Sequence, residues 1–325
     1  MTEFDLIARY FTRPPKRAAL GVGDDCALIS PTPGMQLAIS SDMLAEGRHF
    51  FGDVSPYSLG HKALAVNLSD LAACGAAPIA FTLALALPSI DEAWLQAFSS
   101  GMWALARAHG CDLIGGDTTR GPLNICITAL GEVPRGQALL RSGAQVGDDI
   151  YVSGTLGDAR LALEALQGKI NLPPEILVQT RLRLEQPTPR VALGTALRGI
   201  ATAAIDISDG LAGDLGHIVK ASGVGAQLDA ELTINLIAAR AHISWSIGLF
   251  DTQKLFDTVF SGGDDYELAF TAPPAARQSV QAAAASSHTA VTRIGVIQTE
   301  PGLRLVDGAG QLINRQFASF DHFAR

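Results

Sequence analysis

Six short stretches of this 325-residue chain place aspartate beside glycine or a hydroxyl residue. They are Gly21-Val22-Gly23-Asp24-Asp25, Ser40-Ser41-Asp42, Asn67-Leu68-Ser69-Asp70, Gly115-Gly116-Asp117-Thr118-Thr119, Asp206-Ile207-Ser208-Asp209-Gly210 and Gly262-Gly263-Asp264-Asp265. One such motif alone is an ordinary turn, because aspartate and glycine both favour turns. Six of one kind ask for a common use. Converged carboxylates about 4 Å apart repel by on the order of 4 kcal/mol per pair at an effective dielectric of 20, and lysine and arginine are scarce in these segments. Divalent cations are the natural counter-charge. Aspartate oxygens, serine hydroxyls and water suit Mg2+, which usually binds substrate phosphates too, and adjacent glycines let backbone N–H groups approach those phosphates. Asp70 is different in kind: it falls late in an apolar helical run, where a bare carboxylate is costly to bury.

The rest of the composition narrows the class. The net charge of −8 lacks the basic footprint that nucleic-acid binding needs. Of the acids, 22 are aspartate and 10 glutamate, a bias toward the shorter, stiffer arm. At 48% hydrophobic and 17% charged there is ample material for a core. The richest apolar run, Ile79 to Leu87, is strand-sized and stopped by Pro88, so no membrane span is expected. No basic region followed by an apolar core opens the chain, and Cys26, Cys74, Cys111 and Cys126 form no CxxC pair. A cytoplasmic protein is the simplest expectation. There is no P-loop, kinase signature set, convincing GxGxxG, HExxH or GxSxG elbow.

The elements that must carry these residues follow from period and punctuation. Phe4, Ile7, Ala8 and Phe11 have helical spacing, ended by Pro14-Pro15. A strand is expected over 36–41. A helix should start at Ser55-Pro56 and stop at Gly75. Phe81–Leu87 reads as a strand, Leu95, Phe98, Met102 and Leu105 as one face of a helix, and 111–114 and 123–133 as strands. A second set runs from Asp149-Ile150-Tyr151-Val152 through helices after Gly157 and around 176–184, a strand at Ala203–Ile207, a helix at 211–221, a strand at 266–270 and an alanine-rich helix at 275–285. Alternation of this kind gives an α/β or α+β protein, with domains expected at 1–145 and 146–325. Asp42 and Asp117 are expected just after strands and Asp206 at the end of one, where open α/β sheets gather ligands.

In this order the motifs resemble thiamine-monophosphate kinase, in the superfamily of aminoimidazole-ribonucleotide synthetase. The resemblance runs from Phe4 to Phe320-Asp321-His322-Phe323. It rests on the six clusters together with Glu46-Gly47-Arg48-His49-Phe50, the run Lys62 to Ala73 and Arg141-Ser142-Gly143-Ala144. It implies an ATP-dependent kinase that transfers the γ-phosphoryl of ATP to thiamine monophosphate, giving thiamine diphosphate. It also implies an N-terminal sheet domain that forms a homodimer and a C-terminal α/β domain closing over the site. By resemblance, Asp25, Ser40, Ser41, Asp42, Asp70, Asp117, Asp206 and Asp209 would hold several Mg2+ ions. Ser99, Gly116, Asp117, Arg141 and Ser208 would contact ATP, and His49, Asp264 and Phe320 the substrate, with Asp42, Asp70, Asp117 and Arg141 the catalytic core.

Two departures stand out. Relatives usually have Gly-Gly-Glu-Asp where this chain has Gly262-Gly263-Asp264-Asp265, and some carry tyrosine at the place of Ser99. Another ATP enzyme of the superfamily is the alternative reading, but aminoimidazole-ribonucleotide synthetase lacks the Glu-Gly-x-His-Phe stretch. A metal-binding dimer without turnover is the non-enzymatic one.

Overall fold

The first half of the chain folds around one helix that is buried on nearly every side. In the computed structural model, which describes residues 2–242, 244–245, 249–315 and 317, two compact units separate: Met1–Leu71 with Ala76–Ala138, and Ala72–Gly75 with Leu139–Arg325. Unit 1 opens with α1 (Glu3–Leu6), capped by Thr2, and runs on into a wider π turn over Ile7–Phe11. Its sheet holds β1 (Met35–Ala45), β2 (Ala77–Leu87), β3 (Asp112–Arg120) and β4 (Asn124–Pro134) in the order β1-β4-β2-β3. Helices α2 (Pro56–Ala73) and α3 (Glu92–Ala108) complete it. The Ser55-Pro56 start is realised, the Ser55 carbonyl accepting from Leu59 N–H at 2.9 Å, and Gly75 follows the helix end at φ +67°. From Ser58 to Leu71, only His61 and Asp70 of α2 are not buried, the burial of a helix apolar all round.

Unit 2 is built on a seven-stranded sheet of order β11-β10-β7-β9-β5-β8-β6. Its strands are β5 (Asp149–Ser153), β6 (Ala203–Ile207), β7 (Gly225–Asp229), β8 (Glu267–Ala272), β9 (Val291–Gln298), β10 (Gly302–Val306) and β11 (Leu312–Ile313). Its helices are α4 (Asp158–Leu166), α5 (Pro174–Glu185), α6 (Val191–Ala196), α7 (Leu211–Ser222), α8 (Ala230–Ile234), α9 (Thr252–Phe260) and α10 (Arg277–Ser286). Its core gathers Ile150, Val152, Leu161, Ile205, Leu215 and Phe260. No helix among the described residues is long and apolar enough to cross a membrane.

Both sheets are mixed and mostly antiparallel: β2 pairs parallel with β3 and β7 with β10, and the other pairings run antiparallel. The rule that ligands gather beyond the carboxyl ends of parallel strands therefore does not govern here. Nor do Asp42 and Asp117 follow strands, as the sequence reading expects. Each lies within one, Asp42 opposite Ile127 in the β1–β4 ladder and Asp117 opposite Ala84 in the β2–β3 ladder. Backbone pairing runs straight through the Ser-Ser-Asp and Gly-Gly-Asp stretches, although their composition suggests turns.

Candidate active site

In unit 1 the donors stand on the face of β1 turned to α2. Residues alternate across a strand, so Ser40, Asp42 and Leu44 point one way and Ser41 and Met43 the other. The Ser40 hydroxyl donates to Asp70 Oδ2, at the last turn of α2, in a close hydrogen bond. Asp42 N–H donates to Asn67 Oδ1 at 3.2 Å, and the buried Asn67 amide donates to Ala63 O at 3.2 Å. One helix face thus fixes Ser40, Asp42 and Asp70 relative to one another. Ser41 turns away and pairs with Thr128 Oγ1 at 2.9 Å. Asp25 is exposed in a tight turn, its N–H donating to Asp24 Oδ1 at 2.9 Å.

Gly116 and Asp117 lie on the far edge of the same sheet. Register places Asp42, Ile127, Leu83 and Gly116 in one row, and Met43, Cys126, Ala84 and Asp117 in the next. Three strand spacings of roughly 4.8 Å separate the two edges, so Asp42 and Asp117 do not touch. Gly116 has its own structural reason: at φ +144°, a Cβ there would meet Leu83 O at 1.9 Å. Ser99, expected beside adenosine, is buried in α3 with its hydroxyl donating to Gln96 O at 3.3 Å.

His49 sits in the turn after β1, its Nδ1 accepting from Ala45 N–H at 3.0 Å. That bond assigns the ring proton to Nε2 in the neutral form. Beside it is a charge to which the sequence reading gives no role. Lys62 is buried at 3% exposure on α2 and its ammonium reaches His49 O at 3.5 Å.

Unit 2 brings two of the aspartate motifs into direct contact. Asp206 is buried near the end of β6. The next residues turn at Gly210 into α7, and the segment before β8 lies against that turn: Asp264 N–H donates to Ser208 O at 2.9 Å and Tyr266 N–H to Ile207 O at 2.8 Å. A Cβ on Gly263 would meet Ser208 O at 2.3 Å, so the approach requires glycine. Asp264 itself adopts a left-handed backbone at φ +67°, and Tyr266 Oη donates to its Oδ1 at 3.4 Å. Behind the turn lies Asp214, whose Oδ2 accepts from Ser208 N–H and Asp209 N–H, both at 3.0 Å. Burial pushes the Asp214 carboxyl up to about 7, with the Asp209 N–H opposing and the Asp209 charge adding. Asp265 is wholly enclosed and accepts Gly157 N–H at 3.0 and 2.9 Å, and burial raises its carboxyl well above the usual range. Asp214 and Asp265 are absent from the sequence-based site: a lone acid in a first helical turn carries no distinguishing pattern, and of the Asp264-Asp265 doublet the resemblance implies only Asp264.

Arg141 is exposed, in a loop tied to the opposite end of α7, where Ser222 Oγ donates to Arg141 O at 3.3 Å and accepts from Gly143 and Ala144 N–H. That is roughly 17 Å from the Ser208–Asp209 turn at 1.5 Å per helical residue. Phe320 lies outside the described residues. Among the described residues, no three His, Cys, Asp or Glu side chains converge as a ready metal cage. What the structure offers is two sets of hard oxygen donors, Ser40 with Asp42 and Asp70 in unit 1, and Asp206 with Ser208 and Asp209 in unit 2. The donor chemistry of both fits Mg2+ rather than a softer metal.

Residues 23–133 match the AIR synthase related protein, N-terminal domain, and residues 145–308 its C-terminal domain. That defines the class as a two-domain AIR synthase related protein. The thiamine-monophosphate kinase of Salmonella typhimurium is 46% identical over 330 aligned residues, covering 99% of this chain and 98% of its own length. The crystal structure of thiamine-monophosphate kinase from Stenotrophomonas maltophilia superposes with a TM-score of 0.82 at 46% identity, over 93% of this chain and 94% of its own. AaThiL complexed with AMPPCP and TMP superposes at 0.76 with 27% identity, over 90% and 89%. The chain belongs to the thiamine-monophosphate kinase family.

Proposed function

We infer that this protein transfers the γ-phosphoryl group of ATP to thiamine monophosphate, yielding thiamine diphosphate and ADP. The observation that carries the reading is likeness to thiamine-monophosphate kinase at 46% identity over 99% of the chain. The acceptor is a phosphate oxygen whose second pKa lies near 6, so it is largely ionised at neutral pH without a side-chain base. What the protein must do is hold two polyanions in line.

Ser40, Asp42 and Asp70, fixed by the α2–β1 hydrogen bonds, and Asp206 and Asp209 are the residues that would hold Mg2+, with Asp25 and Asp117 as further oxygen donors; Ser41, whose hydroxyl turns to the other face of β1 and pairs with Thr128, is left outside. Mg2+ held by such oxygens would supply neutralisation of the phosphate charge. Ser208 and the Gly116-Asp117 backbone serve the nucleotide. Ser99, turned onto its own helix, and Arg141, at the far end of α7, are left outside that set. His49 and Asp264 serve the substrate: His49 presents Nε2–H, and Asp264 offers a carboxylate to a cationic thiazolium or an aminopyrimidine.

The protein acts as a homodimer through the open face of its first sheet. Leu37, Ile39 and Met43 on β1 are 38%, 63% and 56% exposed, with half-buried Cys126 and Thr128 of β4 on the same face, exposed apolar side chains of the kind that mark an interface. Ile39→Lys is expected to yield a monomer in sedimentation at micromolar concentration, whereas the unaltered protein sediments as a dimer. Four free cysteines fit a reducing compartment, the cytoplasm.

The deciding measurement is ADP formation that depends on thiamine monophosphate, followed in a coupled assay with Mg2+ present. ATP turnover indifferent to thiamine monophosphate, or none at all, overturns the reading.

A further inference from the structure

The Ser208 peptide in unit 2 is gripped from both sides. Its N–H donates to Asp214 Oδ2 at 3.0 Å and its carbonyl accepts from Asp264 N–H at 2.9 Å. The next N–H, on Asp209, is held by the same Asp214 oxygen at 3.0 Å. Asp214 is itself buried, 4% exposed, on the first turn of a twelve-residue helix packed into the unit's core through Leu211, Leu215 and Ile218. A single oxygen on a rigid element thus sets where two consecutive residues project. Those residues are the ones assigned to nucleotide and metal.

We propose that Asp214 is a positioning residue for ATP and Mg2+, acting through Ser208 and Asp209 without touching either ligand. The inference rests on the reading of Ser208 as a nucleotide contact and Asp209 as a metal ligand. Its physical basis is the acceptor oxygen: Asp214 is hydrogen-bonded by backbone N–H groups rather than by a cation. Without that acceptor the two N–H groups are left with a desolvation cost, and the turn relaxes toward water. A misplacement of about 1 Å in a ligand-holding group is enough to cost about a hundredfold in rate.

Three substitutions test this. Asp214→Asn keeps an oxygen for both N–H groups, Asp214→Leu keeps the approximate volume without an acceptor, and Asp214→Glu keeps the charge but displaces the oxygens by one methylene. Each is measured for steady-state kinetics and for the rise in melting temperature caused by Mg2+ with a non-hydrolysable ATP analogue. Asp214→Leu is expected to raise KM for ATP by about tenfold or more, to raise the Mg2+ concentration for half-activation, and to lose most of the ligand-induced melting shift. KM for thiamine monophosphate should hardly move, and Asp214→Asn should stay close to the unaltered protein on every readout. A folded Asp214→Leu with ATP and Mg2+ behaviour unchanged overturns the proposal, as does a lower melting temperature with intact kinetics at a permissive temperature. An Asp214→Asn as impaired as the leucine variant also overturns it. Should Asp214→Leu not fold, the Asn and Glu variants decide: an intact Asn with a Glu impaired toward ATP supports positioning, and two intact variants overturn it. The melting shift separates this from the functional reading. If the unaltered protein binds Mg2+ and the nucleotide analogue but does not phosphorylate thiamine monophosphate, the activity falls while the shift still tests Asp214.

Discussion

The two units hold their oxygen donors by different means. In unit 1, Asp42 and Asp117 are strand residues locked into continuous ladders, and Asp70 is on a helix buried almost all round. In unit 2, Ser208, Asp209 and Asp264 are on loops, and their geometry is set by backbone hydrogen bonds between the loops and by a buried carboxylate behind them. The first arrangement is rigid because the secondary structure is rigid. The second is rigid only while a few specific contacts persist. A strand-borne donor should therefore be replaceable with loss of chemistry and little loss of fold, whereas loop-borne sites should be sensitive to changes in the residues that hold the loops.

The largest expected effect breaks the first half of that comparison. Asp70→Asn keeps an acceptor for Ser40 but removes the charge, so kcat should fall by about a hundredfold or more while the melting temperature stays near that of the unaltered protein. Near-normal turnover at saturating Mg2+ would show that unit 1 does not carry the metal chemistry. The second half is sharpened by Asp264→Asn. A group acting at the distal end of the substrate binds ground and transition states alike, so KM for thiamine monophosphate should rise by about tenfold with KM for ATP little changed. A collapse of kcat with weakened Mg2+ binding would instead make Asp264 a metal ligand.

The smallest effect concerns unit 2 away from its loops. Asp149, on β5, accepts Arg277 Nε at 2.6 Å and Arg293 Nη1 at 3.1 Å, and the Arg277 bond holds its carboxyl below the usual carboxylate range. A depressed folded value means the contribution is full at neutral pH and is lost as pH falls from about 4 through that lower value. Both arginines are about half exposed, so solvent screening limits the pair to about 1 kcal/mol. Asp149→Asn should lower the melting temperature by about 2–4 °C at pH 7, and the gap should begin to narrow only as the pH falls below about 4. A gap that persists in acid would assign the loss to packing.

Much of this architecture was legible because its signals are local. β6 occupies Ala203–Ile207 as read, and α2 begins at Ser55-Pro56 and gives way at Gly75. The unread strands, β7, β9, β10 and β11, are short or lack the alternating pattern: in β9 only Ile294 and Ile297 are buried, three apart rather than alternating. Among site residues the sequence yields the members but not the pairings. That Ser40 reaches Asp70, or that the Gly-Gly-Asp-Asp segment lies on the Asp-Ile-Ser-Asp turn, depends on contacts across 30 and more residues. Asp214 was hidden for another reason, since an acid in the first turn of a helix is already accounted for by the helix dipole.

The backbone of Asp264 has a consequence for which side chains this position accepts. At φ +67° it occupies a region that aspartate and asparagine enter more readily than longer residues, whose Cβ and chain gain no local hydrogen bond in return. Compared with glutamate, the aspartate of this chain is better suited to the turn and has the shorter reach. Asp264→Glu is therefore not a neutral change here: the extra methylene extends toward substrate, but the left-handed turn is disfavoured by something on the order of 1 kcal/mol. The favourable order of changes is a second-site adjustment of the 262–266 loop first and the longer acid afterwards. That constraint is epistatic, and it arises from one dihedral angle.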